Sequence, residues 1–168
     1  MIIIVMGVSG SGKTTIGKLL ADSLDWEFSD ADSFHSPGNV DKMRRGIPLT
    51  EADRMPWLQD LQTAIKHWLQ ENKNVVLACS ALKDSYRQFL VLDSGCTNTK
   101  SDRIKLVYLK GPYELIQTRL QERSNHYMGE KLLNSQFDTL EEPLDAISID
   151  VAQPPQIIVQ NIKTALKI

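Results

Sequence analysis

The segment Gly7-Val8-Ser9-Gly10-Ser11-Gly12-Lys13-Thr14 constrains this chain more than any other stretch. It fits G-x-x-x-x-G-K-[ST], the phosphate-binding loop. The apolar Ile2–Met6 runs into it with the length of a strand. Behind it Thr15–Ser23 reads as a helix, because Ile16, Leu19, Leu20 and Leu24 recur at helical spacing. Strand, glycine loop and helix are the context that turns a short pattern into a site. The glycines let successive backbone N–H groups turn inward toward an anion, and the helix N-terminus adds partial positive charge. Lys13 is placed to reach the β- and γ-phosphates of a nucleotide, and the Thr14 hydroxyl to ligate Mg²⁺.

The 168 residues are read as one domain, 1–168, long enough to bury a core. A net charge of −2 argues against a nucleic-acid or anionic-membrane partner bound by charge alone. Cys79 and Cys96 form no C-x-x-C pair, which fits a reducing compartment. No apolar run has the length of a membrane span. The expectation is a cytoplasmic protein with no membrane partner.

Beyond the first helix, Trp26–Ser29 is a strand candidate that empties into Asp30-Ala31-Asp32-Ser33-Phe34-His35. If the chain stays extended, Asp30 and Asp32 fall on one side. Two carboxylates beside a triphosphate suit Mg²⁺ held through water and activation of a hydroxyl nucleophile; Asp-rich segments are also ordinary turns and caps. Ser36–Asn39 reads as a turn and Val40–Arg45 as a short helix stopped by Gly46. Thr50 reads as a helix N-cap, with Pro56 as a first-turn proline. Trp57, Leu61, Ile65, Trp68 and Leu69 form one apolar stripe through Gln70, read as core, with His67 off it. Arg44, Arg45 and Arg54 are either a solvated basic surface or a clamp for a carboxylate.

Val75–Ala78 is a buried strand by its unbroken apolar run, ending at Cys79-Ser80-Ala81-Leu82-Lys83. Ser80 is a candidate for a sugar hydroxyl, Cys79 a small buried residue, and Lys83 and Arg87 are placed one turn apart on the next helix. Asp93–Asp102 is polar and irregular, and Ile104–Leu109 is another strand. Pro112 opens a helix to about Ser124, with Arg119 and Arg123 at i and i+4. In 125–142, His126 and Lys131 flank a hinge candidate at Gly129, and Leu132, Leu133, Phe137 and Leu140 suggest a short amphipathic helix. A mobile cover over a phosphoryl-transfer site has this form, so a lid is expected over about 123–142. Ile147–Val151 and a C-terminal helix to about Lys167 close the chain. Alternating strands and helices place it in the α/β class with a parallel sheet.

These residues resemble the gluconate kinase family, shikimate-kinase-like relatives among the P-loop kinases. The resemblance spans nearly the whole chain. It rests on Gly7–Thr14, Asp30-Ala31-Asp32 with His35, Gly46-x-Pro48-Leu49 and Asp53-Arg54-x-Pro56-Trp57. It continues through Cys79–Lys83 with Tyr86-Arg87, Arg123-x-x-His126 and Ser135-Gln136-Phe137-x-Thr139-Leu140-Glu141. Asn125, Tyr127 and Gly129 depart from the family's usual glycine, phenylalanine and proline, at no catalytic group. The resemblance implies a three-layer P-loop kinase fold with a five-stranded parallel sheet and a helical lid, a homodimer, and ATP-dependent phosphorylation of D-gluconate at its 6-hydroxyl. It assigns ATP to Gly7, Val8, Ser9, Gly10, Ser11, Gly12, Lys13, Thr14 and Thr15 with Arg119 and Arg123. Catalysis falls to Lys13, Asp32 and Arg123, and Mg²⁺ to Thr14 and Asp30. The acceptor falls to Asp32, His35, Arg54, Ser80, Lys83, Arg87 and His126.

Other readings separate on particular residues. A shikimate, nucleoside monophosphate or adenylylsulfate kinase would share the loop. A guanine-specific switch would carry Asn-Lys-x-Asp, which Asn72-Lys73-Asn74-Val75 breaks. A motor ATPase would end an apolar strand in Asp-Glu, where these strands end in Cys79-Ser80 and Lys110-Gly111.

Overall fold

The computed structural model describes residues 1–91, 102–123 and 129–168. Five strands form one sheet: β1 (Ile2–Met6), β2 (Glu27–Asp30), β3 (Val75–Ala78), β4 (Ile104–Lys110) and β5 (Ile147–Asp150). Their order is β2-β3-β1-β4-β5, and every pairing is parallel. The helices are α1 (Lys13–Leu24), α2 (Pro37–Arg44), α3 (Glu51–Gln70), α4 (Asp84–Val91), α5 (Tyr113–Glu122), α6 (Gly129–Thr139) and α7 (Pro155–Leu166). A short 3-10 turn covers Ala31–Phe34.

Strand β1 has no solvated face, which is why its sequence reads as an unbroken apolar run. Successive side chains point to opposite sides of the sheet. Ile2, Ile4 and Met6 join Trp57, Leu58, Leu61, Ile65 and Leu69 of α3 and Leu90 of α4. Ile3 and Val5 join Ile16 and Leu20 of α1, Ile116 of α5, Leu133 of α6 and Ile158 and Ile162 of α7. The result is three layers, with helices on both faces of the sheet. Because β1 pairs with β3 on one edge and β4 on the other, its carboxyl end is the point where the chain's course across the sheet reverses. That point is where ligands enter open α/β sheets.

Several local expectations shift. Helix α1 begins at Lys13 rather than Thr15, directly on the loop. Strand β2 runs one residue further along than its apolar residues suggested, because Asp30 pairs in register with Ala78. The chain does not stay extended after it. Ser36 is an N-cap, its hydroxyl accepting from the Asn39 N–H, and Pro37 is the first residue of α2, so the expected turn is a helix start. Thr50 and Asp53 close a capping box at α3. Pro56 lies inside α3, past the first turn, so it has no N–H for the Ala52 carbonyl. Lys83 precedes α4 rather than lying on it. Helix α5 ends at Glu122, with Pro112 as its N-cap and Arg123 as its C-cap.

Candidate active site

The loop between β1 and α1 is a backbone cradle. Gly7 has φ 153°, and a Cβ there would stand 2.7 Å from the Ser11 hydroxyl and 3.0 Å from the Leu109 carbonyl oxygen. Gly12, at φ 98°, caps α1 with no side-chain oxygen, so among the described residues no side-chain cap takes the first-turn N–H groups. A helix N-terminus left in that condition is an anion site. The Lys13 ammonium folds back to donate to the Val8 carbonyl at 2.9 Å. Withdrawal from water lowers its pKa, while Asp32 and other neighbours favour the charged form. Ser11 is buried and lines neither cavity.

Asp30 organises the other wall. Its Oδ2 accepts from the Thr14 hydroxyl at 2.8 Å, and its Oδ1 accepts from the Asp32 N–H at 3.0 Å. The two aspartates therefore meet the loop through a carboxylate-capped 3-10 turn, not through strand alternation. Asp32 has a raised pKa, first because protein surrounds it and then because Asp30 is close; Lys13 opposes the shift.

Two cavities meet here. One, of about 250 Å³, is lined by the loop, Asp30, Asp32, Cys79, Ser80, Arg123, Leu132 and Leu133. The other, of about 550 Å³, is lined among others by His35, Arg44, Arg54, Trp57, Tyr86, Ser135, Gln136 and Thr139. Both include Ser9, Lys13, Asp32, Ser80 and Leu132. Among the described residues, the larger cavity carries Lys13, Arg44 and Arg54 against the single carboxylate of Asp32. Its charge suits an anionic small molecule.

The walls of the larger cavity are held by ring and ion contacts. His35 stacks on Trp57 with centroids 4.4 Å apart, and the Trp57 indole donates to the Ala31 carbonyl at 2.7 Å. Burial and then the Arg54 charge lower the His35 pKa to about 4, so the ring is neutral near pH 7. Arg54 donates to the Tyr86 hydroxyl at 3.1 Å, and that hydroxyl donates to Glu51 at 2.7 Å. Lys83 also donates to Glu51, at 2.7 Å. The sequence alone assigns no separate role to Glu51, Tyr86 and Gln136. Their only signals in it are the N-cap Thr50 beside Glu51 and the family-like runs that contain the other two.

The expected site residues divide. Ser9, Gly10, Gly12, Lys13, Thr14, Thr15, Asp30, Asp32, His35, Arg54, Ser80 and Arg123 line one or both cavities, while Gly7, Val8 and Ser11 line neither. Lys83 stands behind Arg54 and Tyr86, paired with Glu51, and lines neither cavity. Arg119 donates to the Val151 carbonyl and lines neither cavity. Arg123 sits at the C-cap of α5 and lines the smaller cavity, which Arg119 does not. Arg87 is a correction: its side chain is 5% exposed and donates to the Ala81, Leu82 and Glu141 carbonyls at 2.9, 3.0 and 2.8 Å. Its guanidinium is turned to the backbone and lines neither cavity. Arg45 is exposed and turned to Asp41. Burial pushes the Cys79 thiol up to about 12, which leaves it inert. His126 lies outside the described residues.

Such a fold, with its loop at the switch point and a carboxylate at the junction of two cavities, defines a P-loop kinase. The family model described as shikimate kinase matches residues 9–167. The gluconokinase of Arabidopsis thaliana is 44% identical over 169 residues, covering 96% of this chain and 89% of the relative. The thermosensitive gluconokinase of Escherichia coli (strain K12) is 41% identical over 152 residues, covering 88% and 78%. A crystal structure of a gluconokinase from Sinorhizobium meliloti 1021 aligns at TM-score 0.83 and 39% identity, covering 98% of this chain and 90% of that one. The chain belongs to the gluconokinase family and carries the shikimate kinase family pattern over nearly all its length. Among the described residues, no helix is long and apolar enough to cross a membrane.

Two outcomes follow from this geometry. Replacing Arg87 with Met takes the guanidinium from the Ala81 and Glu141 carbonyls and leaves Leu82 only the Glu141 N–H, so the unfolding free energy in urea should fall by about 3 kcal/mol. A stable Arg87→Met variant with a raised KM for the acceptor would return Arg87 to the substrate side. His35 supplies the second. Folded, it is protonated only below about pH 4; unfolded, below about 6.5. Between those values the unfolded chain binds more protons, so stability is lost as pH falls through the window. In His35→Asn the thermal midpoint should fall less over that window than in the wild type; an equal fall assigns the slope to other groups.

Proposed function

We propose that this protein transfers the γ-phosphoryl group of ATP to the 6-hydroxyl of D-gluconate, yielding 6-phospho-D-gluconate and ADP. The observation that carries the reading is the junction of a phosphate-loop cavity and a cationic cavity at Lys13, Asp32 and Ser80. The triphosphate enters the smaller cavity along the loop, with Lys13 at the β- and γ-phosphates. Those anions restore the charged state that desolvation disfavours in Lys13. The sugar acid enters the larger cavity, its carboxylate toward Arg54 and Arg44 and its far hydroxyl toward Asp32.

The hydroxyl oxygen then bonds to the γ-phosphorus as the bridging P–O bond to ADP breaks, and its proton passes to Asp32. The raised pKa of Asp32 suits an acceptor that must later release that proton. The transition state is loose, so alignment and charge outweigh base strength. Arg123 at the mouth of the smaller cavity meets the charge that develops on the transferring group. The Thr14–Asp30 pair offers a hydroxyl and a carboxylate, and among the described residues no group of three or more His, Cys, Asp or Glu could hold a metal; such a pair suits Mg²⁺ held mostly by water and phosphate oxygens. Bound there, Mg²⁺ neutralises phosphate charge. In this reading Arg123–Glu142 is a lid, 1–168 works as one catalytic unit, and the enzyme is a cytoplasmic homodimer.

Coupled ADP release is the direct test. Gluconate should stimulate it and shikimate should not; stimulation by shikimate alone overturns the substrate reading. Asp32→Asn should lower kcat by roughly 10²–10⁴, the usual range for a positioned acid–base group, with ATP affinity little changed. Arg54→Lys keeps the charge but loses the planar fork. The KM for gluconate should rise roughly tenfold while that for ATP holds, the size of one charge-assisted bond. A selective rise for ATP moves Arg54 to the nucleotide.

A further inference from the structure

We propose that Gln136 is a positioning residue that couples the two substrate cavities, tying helix α6 to the phosphate loop through Ser9. Its Oε1 accepts from the Ser9 N–H, and its Nε2 donates to the Ser9 hydroxyl at 3.0 Å. Ser9 lines both cavities, and Gln136 lines the larger one. A carboxamide has two N–H donors and two acceptor lone pairs. Ser9 engages one of each. One N–H and one lone pair are left for a hydroxyl of a polyol acid in the larger cavity. A ligand bonded there fixes the carboxamide, and the carboxamide fixes Ser9. The inference rests on that cavity being the acceptor's site.

The other end of α6 makes this more than a local contact. Just past the helix, the Glu141 N–H donates to the Leu82 carbonyl at 2.9 Å, and its carboxylate accepts from the Asp84 N–H at 3.2 Å. Arg87 bonds the Glu141 carbonyl together with those of Ala81 and Leu82. Ala81 is held at φ 42°, a left-handed conformation that costs a non-glycine residue energy. The buried guanidinium therefore keeps the Ser80 loop in shape and fastens it to the end of α6. Gln136 lies five residues before Glu141, little more than one helical turn. The path runs from the phosphate loop through Ser9, Gln136, α6, Glu141 and Arg87 to Ser80, and so encircles the junction. The Gln136–Ser9 pair is the link between α6 and the loop. Thermodynamic linkage makes such a coupling reciprocal: the acid tightens ATP by the factor by which ATP tightens the acid.

The test is the affinity of a non-hydrolysable ATP analogue by calorimetry, with and without saturating gluconate. In the wild type gluconate should tighten the analogue by at least about fivefold, the lower end of usual coupling factors. In Gln136→Ala the factor should fall to near unity. Gln136→Met keeps the length and packing without the polar atoms, and serves if the alanine variant does not fold. A wild-type factor in the variant, or none in the wild type, overturns the proposal. So does a variant that weakens both ligands equally and keeps their ratio, since that is a packing role. If gluconate stimulates no ADP release, the substrate reading fails separately. The factor is then measured with the sugar acid that does stimulate it.

Discussion

Burial of β1 between β3 and β4 is the constraint on which the rest depends. A strand paired on both edges and covered on both faces cannot shift by one residue without moving every side chain into the wrong layer. Its carboxyl end is therefore fixed, and the loop that leaves it must turn at once into α1. The cradle inherits its position from that strand. Lys13 can be the first residue of α1 because the turn before it is made by backbone alone.

Around that fixed loop, polar contacts of short reach assemble the chemistry. The Asp30 carboxylate holds the Thr14 hydroxyl and the Asp32 N–H together, so one side chain relates the hydroxyl proposed to ligate Mg²⁺ to the proposed proton acceptor. Arg87 does the same for the Ser80 loop, from below and through carbonyls. Gln136 closes the opposite side. Each acts over the length of one hydrogen bond, yet each joins segments distant in sequence. A small domain can thus hold two ligands in line with few dedicated residues.

The corrections share one physical cause. Arg87, Lys83 and Arg119 carry the charge a phosphate or carboxylate site needs, and a family-like run includes the first two. Charge and spacing say what a guanidinium can bind but not whether backbone carbonyls have already taken it. In this fold the Ala81, Leu82 and Glu141 carbonyls claim Arg87, the Val151 carbonyl claims Arg119 and the Glu51 carboxylate claims Lys83. Asp30 and Asp32 show the converse. They reach the loop as expected, but by a turn that the strand's period did not foresee.

By itself, the sequence determined the elements whose signal is local: the loop, the buried runs of β1, β3 and β4, the apolar stripe of α3 and the N-cap at its start. Glycine spacing, apolar period and caps act within a few residues, so they can be read without the rest of the chain. Tertiary structure alone decided the strand order and the meeting of two cavities at Lys13, Asp32 and Ser80. It also decided which cations face a ligand and which face carbonyls, and the pairing of Gln136 with Ser9 across 127 positions of chain. Those outcomes depend on which distant groups compete for the same hydrogen bonds once the layers pack, and no local pattern encodes that competition.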